Sequence, residues 1–236
     1  MNPLLSVQSL NAFYGRAHIL FDVSFEVAQG EVIALMGRNG AGKSTTMKAI
    51  MGLLAHKSGS VTFMGDEISA WPAHRIARKG LGYVPEDRRV FGDLTVMENL
   101  DTGRQAPREG APLWTPEKLF RVFPNLGEMR DRRASRMSGG EQQMLTVART
   151  LMGNPRVVLL DEPSEGVAPV IVEQMAEMIL ELKREGVSIV LSEQNLHFAE
   201  RVSDRVYVLE KGQIRHTGTM NELAHDEAAR RDYLGV

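Results

Sequence analysis

The stretch "EVIALMGRNGAGKSTTMKAI", Glu31 to Ile50, constrains the fold of this chain more than any other. A continuous apolar run ends in Gly37-Arg38-Asn39-Gly40-Ala41-Gly42-Lys43-Ser44-Thr45 and leads into a helical pattern. This matches G-x-x-x-x-G-K-[ST] between a strand and a helix. Gly37, Gly40 and Gly42 let the backbone curl so that its amides converge on an anion, and the following helix points its positive dipole end at the same place. In such a loop Lys43 reaches the β- and γ-phosphates of a nucleotide, and Ser44 offers its hydroxyl to Mg²⁺.

The rest of the chain fits the fold this loop demands. "RVVLLD" and "VSIVLS" are further continuous apolar runs, separated by helical patterns such as "VIVEQMAEMILELKREG". Runs of this kind are expected of parallel strands buried on both faces. Near the start, "LLSVQSL" and "FDVSFEV" instead alternate apolar and polar residues around "FYG", which predicts an antiparallel β portion. "RVYVLEKGQIRHTG" predicts a hairpin turning at Lys211-Gly212, followed by a helical tail. Between the core runs, Asp101 to Arg136 is rich in proline and charge, with helix starts at Thr95-x-x-Glu98 and Thr115-Pro116. The expectation is one α/β domain over residues 1–236. It has a mostly parallel sheet, an N-terminal antiparallel β portion and a mostly helical subdomain, about 95–153, inserted in the core.

Composition excludes several classes of function. A net charge of −2 gives no basic field for nucleic acid. The short basic run "RDRRASR" reads as a solvated helix face or a tether. No apolar run approaches the roughly 18 residues needed to cross a bilayer, and the first residues lack the pattern of a signal peptide, so a cytosolic location is expected. With no cysteine there are neither disulfides nor thiolate metal sites. The thirteen methionines read as core filler.

A nucleotide site needs carboxylates, and "VVLLDEP" supplies Asp161 and Glu162 at the end of a buried strand. By the template of phosphoryl transfer, Asp161 holds Mg²⁺ directly or through water, and Glu162 polarises the attacking water as general base.

"MSGGEQQMLTVARTLM" resembles the signature of ATP-binding cassette (ABC) ATPases, with Met137 in the leucine place and Glu141 in the glutamine place. With the phosphate loop before it and "LLDEP" after it, the resemblance covers essentially the whole chain and implies a P-loop NTPase core. It implies that Ser138, Gly139 and Gly140 meet the γ-phosphate of ATP held by an opposite subunit. The same resemblance places Tyr14 against adenine and makes Glu86 a contact of Mg²⁺ or its water, at the end of a strand beside the phosphate-loop strand. Asp87, Arg88 and Arg89 then face a membrane partner. Gln194 stands where most members have a histidine. It can donate and accept hydrogen bonds but cannot carry a proton, so it is expected to position the γ-phosphate. Ala168 replaces a usual aspartate, and His197 reads as an exposed helix residue.

"VPEDRRVF", "LTVMENL", "DEPSEGVAP" and "LSEQN" together are similar to the second ATPase subunit of branched-chain amino acid importers. That resemblance implies ATP and Mg²⁺ as ligands and, since each active site joins two subunits, a second ABC ATPase subunit or a homodimer. It also implies two permease subunits and an external substrate-binding protein, with this chain peripheral on the inner face of the cell membrane. A non-transport ATPase of the same fold, or a nucleotide-dependent scaffold with little turnover, stays open as the alternative.

Overall fold

The computed structural model describes residues 2–231. Its first half supplies β1 (Leu5–Tyr14), β2 (Ala17–Val27), β3 (Val32–Met36), α1 (Lys43–Ile50), β4 (His56–Phe63), β5 (Asp66–Glu67), α2 (Ala73–Lys79) and β6 (Leu81–Val84). The helices α3 (Val96–Gly103), α4 (Pro116–Val122), α5 (Pro124–Glu128) and α6 (Gly139–Leu151) follow, with a 3-10 turn at Ala134–Arg136. The chain then runs through β7 (Val157–Asp161), α7 (Pro169–Arg184), β8 (Ser188–Glu193) and α8 (Leu196–Val202). It ends in β9 (Arg205–Glu210), β10 (Gln213–Thr219), α9 (Met220–His225) and α10 (Glu227–Ala229).

The strands form two sheets. One has the order β2-β1-β4-β5 with antiparallel pairing throughout. The other has the order β10-β9-β3-β8-β7-β6 and is parallel except for β10, which pairs antiparallel with β9. The continuous apolar runs are the central parallel strands, buried on both sides: Val157 and Leu159 of β7 pack toward the antiparallel sheet and α1, Val158 and Leu160 toward α6 and α7. Each such side chain contributes roughly 1.5–3 kcal/mol. An exposed ion pair such as Arg104–Asp101 contributes at most about 1 kcal/mol, so the two-sided core holds the layers together.

Local signals set the element ends. Thr95 caps α3 in a reciprocal box, its amide donating to Glu98 Oε2 at 2.8 Å while its hydroxyl accepts the Glu98 amide at 3.2 Å. Pro116 opens α4 at the first helical position, where its missing N–H costs nothing. The segment expected to be mostly helical is so only in part. Between α3 and α4 the chain has no regular structure, because "APREGAP" withdraws two amides at Pro107 and Pro112. Buried Asn154 holds this stretch instead, accepting the Trp114 amide at 2.8 Å and donating to the carbonyls of Gln105 and Ala106. The basic run after Met129 is neither a helix face nor a tether. Its Arg130 and Arg132 carbonyls accept the first amides of α3.

One expectation is corrected outright. Glu86 does not end a strand beside the phosphate-loop strand: β6 stops at Val84 and lies at the sheet edge, with β7 and β8 between it and β3. Pairing order is a long-range property, and nothing local in "YVPED" encodes it.

Candidate active site

The loops after β3, β7 and β8 converge at the carboxyl ends of the parallel strands, where open α/β sheets bind ligands. Because β8 lies between β3 and β7, the residues leaving it stand between the phosphate loop and the acidic pair.

Lys43 is the first residue of α1 and is 3% exposed. Its Nζ donates to the carbonyls of Gly37 at 2.7 Å and Arg38 at 3.2 Å and lies 3.0 Å from Glu162 Oε1. The loop thus folds back onto its own lysine, and the cation is aimed at the site rather than at solvent. Ser44, the next residue, donates its hydroxyl to Asp161 Oδ1 at 2.9 Å.

Asp161 accepts also from Ser192 Oγ at 2.7 Å and, through Oδ2, from the Tyr83 hydroxyl at 3.1 Å. Burial first, then the charge and hydrogen bond of Asp161, push the Tyr83 phenol well above its ordinary pKa, so it stays a donor. Ser44 and Asp161 offer hard oxygen only. Among the described residues no cluster of three or more His, Cys, Asp or Glu could hold a metal alone. That donor set fits Mg²⁺, which takes one or two protein oxygens and completes its shell with phosphates and water.

In an extended strand Asp161 and Glu162 would point to opposite faces. They serve one site because Glu162 takes a left-handed backbone, φ 47°, which turns the chain. A non-glycine residue pays roughly 1–2 kcal/mol for that conformation. The Ser192 carbonyl and hydroxyl, both accepting the Glu162 amide at 3.1 Å, hold it there. Burial works to raise the pKa of the Glu162 carboxyl. Hydrogen bonds with Glu165, Lys43 and Gln194, together with the Lys43 charge, outweigh it and hold the group below the usual carboxylate range. Glu165 moves the other way: its hydrogen bond to Glu162, then burial and the charges of Glu162 and Glu86, push it up to about 7.

Gln194 donates through Nε2 to Asn39 Oδ1 at 2.8 Å and to Glu162 Oε2 at 3.2 Å. Both amide protons are spent bridging the phosphate loop to Glu162. The neighbouring Glu193 is buried and accepts three backbone amides. His197 is exposed on α8, as expected, and lies 3.6 Å from Glu200.

Ser138, Gly139 and Gly140 lie elsewhere, at the start of α6. The Ser138 amide donates to Glu141 Oε2 at 2.7 Å while its hydroxyl accepts the Glu141 amide, so Glu141 serves as half of a capping box. Arg88 does not face outward as expected. Its guanidinium lies against Gly139, where an added Cβ would stand 2.4 Å from Nη1. Arg88 and Arg89 both have left-handed backbones, and α6 holds them: the Thr146 hydroxyl donates to the Arg88 carbonyl at 2.5 Å and Arg149 to the Arg89 carbonyl at 2.8 Å. Asp87 pairs with Arg89 on the surface, and Glu86 is exposed beside them. Tyr14 projects, 48% exposed, from the turn between β1 and β2.

Sequence reasoning missed Tyr83, Glu165, Ser192, Glu193 and the inward turn of Arg88. Ser192 and Glu193 stand next to Gln194 in "LSEQN", and polar residues ending an apolar strand at a ligand edge are a usable signal. For Arg88 the sequence carries none.

A family model described as ABC transporter matches residues 20–165. The branched-chain amino acid transport ATP-binding protein BraG of Pseudomonas aeruginosa is 44% identical, over 98% of this chain and all of that one. The probable branched-chain amino acid transport ATP-binding protein LivF of Archaeoglobus fulgidus is 36% identical over 99% of each. The lipopolysaccharide export ATP-binding protein LptB of Haemophilus influenzae is 34% identical over 98% and 97%. Among solved structures, an ATP-binding cassette of an ABC transporter in its ADP conformation superposes with a TM-score of 0.82 at 27% identity, covering all of both chains. Together with a phosphate loop whose lysine and serine meet an Asp-Glu pair, these likenesses establish that the chain belongs to the ABC transporter family and is one of its ATPases.

Proposed function

We propose that this chain is the ATP-hydrolysing subunit of an importer for branched-chain (hydrophobic) amino acids. The carrying observation is the near-full-length likeness to BraG, supported by that to LivF. In this reading the amides of residues 37–42 and the Lys43 ammonium bind the phosphates, and Tyr14, exposed at its turn, stacks on the adenine. Ser44 and Asp161 would hold Mg²⁺. When bound, the ion neutralises charge on the phosphate oxygens. Phosphate competes with Glu162 for Lys43, and Glu162 takes the proton of the attacking water while Gln194 steadies its other oxygen. Ser138, Gly139 and Gly140 present a helix N-terminus to ATP on a second ATPase subunit, a related chain or another copy of this one. ATP-driven closure of that pair moves two permeases fed by an external binding protein.

Among the described residues no helix is long and apolar enough to cross a membrane. Attachment to the inner face of the membrane therefore falls to the permeases in this reading. Their docking surface is proposed as the groove where Leu53 and Phe91, both about half exposed, flank Ala77, Arg89 and Gly103.

The likeness to LptB favours a second reading, lipopolysaccharide export. Uptake of labelled leucine, isoleucine and valine by cells lacking the gene, complemented with the wild type or Glu162→Gln, separates the two. The expected outcome is uptake restored by the wild type alone. Normal uptake in the deleted cells with a defect in lipopolysaccharide export would select the second reading. ATP binding without turnover in the assembled complex would select a scaffold, and a soluble non-transport assembly would leave both transport phenotypes unchanged.

A further inference from the structure

Glu193 is the last residue of β8, and its side chain is 2% exposed. A carboxylate is costly to bury and persists only where fixed donors replace water. Here the donors come from two segments. Oε1 accepts the amide of Ser164, in the turn that leaves Glu162, at 3.1 Å. Oε2 accepts the amides of Gln194 at 3.1 Å and Asn195 at 3.2 Å. One oxygen therefore holds the loop of the proposed base, and the other holds the loop of the amide that bonds Glu162 Oε2. Burial raises the carboxyl's pKa, and the bonds from Ser164, Asn195 and Gln194 draw it back only in part. Asn195 also caps α8, so the second segment is anchored to a helix.

We propose that Glu193 is a positioning residue for ATP hydrolysis: its carboxylate clamps the turn after Glu162 to the Gln194 segment, so that base and steadying amide keep one register. Glu193 touches neither nucleotide nor water in this scheme, which rests on the assignment of Glu162 as base. A register error of about 1 Å at a reacting group can cost roughly 100-fold in rate. The clamp therefore acts on kcat and leaves ATP affinity alone.

Glu193→Gln breaks it selectively. The amide oxygen can serve one segment, while the NH₂ group meets a donor on the other. With the full chain in its assembled complex, the expected result is a kcat lowered roughly 10–100-fold, KM for ATP within about twofold and a cooperative thermal transition retained. Gln194→Ala added to Glu193→Gln should cost less than Gln194→Ala alone, because the clamp is already open. Glu193→Asp, still charged but too short to span both segments, is the second variant and should lower kcat likewise. Wild-type kcat in either folded variant, or costs that simply multiply in the double variant, would overturn the proposal. If Glu162→Gln itself hydrolyses ATP as the wild type does, the base assignment fails instead, and that outcome is distinguishable from failure of the clamp.

Discussion

The two carboxyls at Glu162 and Glu165 sit three positions apart in the chain and share one hydrogen bond, and their affinities for a proton have been driven apart. Below about pH 7 the Glu165 proton is donated to Glu162, which weakens Glu162 in its proposed role as base. Above it, the lost proton leaves a second negative charge that strengthens the base. Turnover should therefore rise between pH 6 and 8, and in Glu165→Gln this rise should vanish; a pH–rate profile of the two proteins checks it. Stability runs in the opposite sense. The folded chain binds this proton more tightly than the unfolded chain, so its contribution is complete below the ordinary value of 4.5 and is lost as pH rises through about 7. Gln194 cannot join this traffic, having only an amide to offer.

Among the elements, the hairpin of β9 and β10 is the one whose placement the site depends on. Lys211 and Gly212 both have positive φ, as a tight hairpin turn requires. The Gly212 amide donates to the Ala41 carbonyl at 2.9 Å and its carbonyl accepts the Phe21 amide at 2.8 Å, so the turn staples the phosphate loop to β2. A Cβ on Gly212 would stand 1.8 Å from the Ile19 carbonyl oxygen, a backbone atom that cannot step aside. Gly212→Ala should cost on the order of 2–4 kcal/mol. At this chain length that lowers the melting temperature by roughly 5–15 °C, measurable by calorimetry. Alanine at Gly186, where nothing lies within 4 Å of the added carbon, should cost less.

At the scale of the molecule, phosphate loop and signature lie on different parts of the chain, one at the strand ends and one on the helical insert. That separation predicts a division of labour. Ser138→Arg should leave nucleotide binding to the isolated chain unchanged while abolishing turnover of the assembled pair. Lys43→Ala should weaken binding in the isolated chain itself. Titration with a fluorescent ATP analogue distinguishes them, and loss of binding in Ser138→Arg would mean that the signature belongs to this chain's own site. Lys43→Ala also leaves Glu162 buried without its cation, so some loss of stability should accompany it.

Much of this was legible in the residues. Glycine spacing, the apolar run before it and the polar helix start after it identify the phosphate loop, because phosphate binding needs free amides in an order that local backbone chemistry alone can set. Two-sided apolar runs announce parallel strands, and the boxes at Thr95 and Ser138 are written in four consecutive residues each. What the sequence could not carry is the order of strands and everything that follows from it. Edge placement of β6 removed Glu86 from its expected position, the left-handed turn at Glu162 brought two neighbouring carboxylates to one site, and the central place of β8 gave Ser192, Glu193 and Gln194 their partners. Periodicity and capping act over one turn or one pleat, whereas pairing order and buried polar contacts join residues more than a hundred positions apart, as Ser44 and Asp161 are. Those contacts exist only once the core has closed.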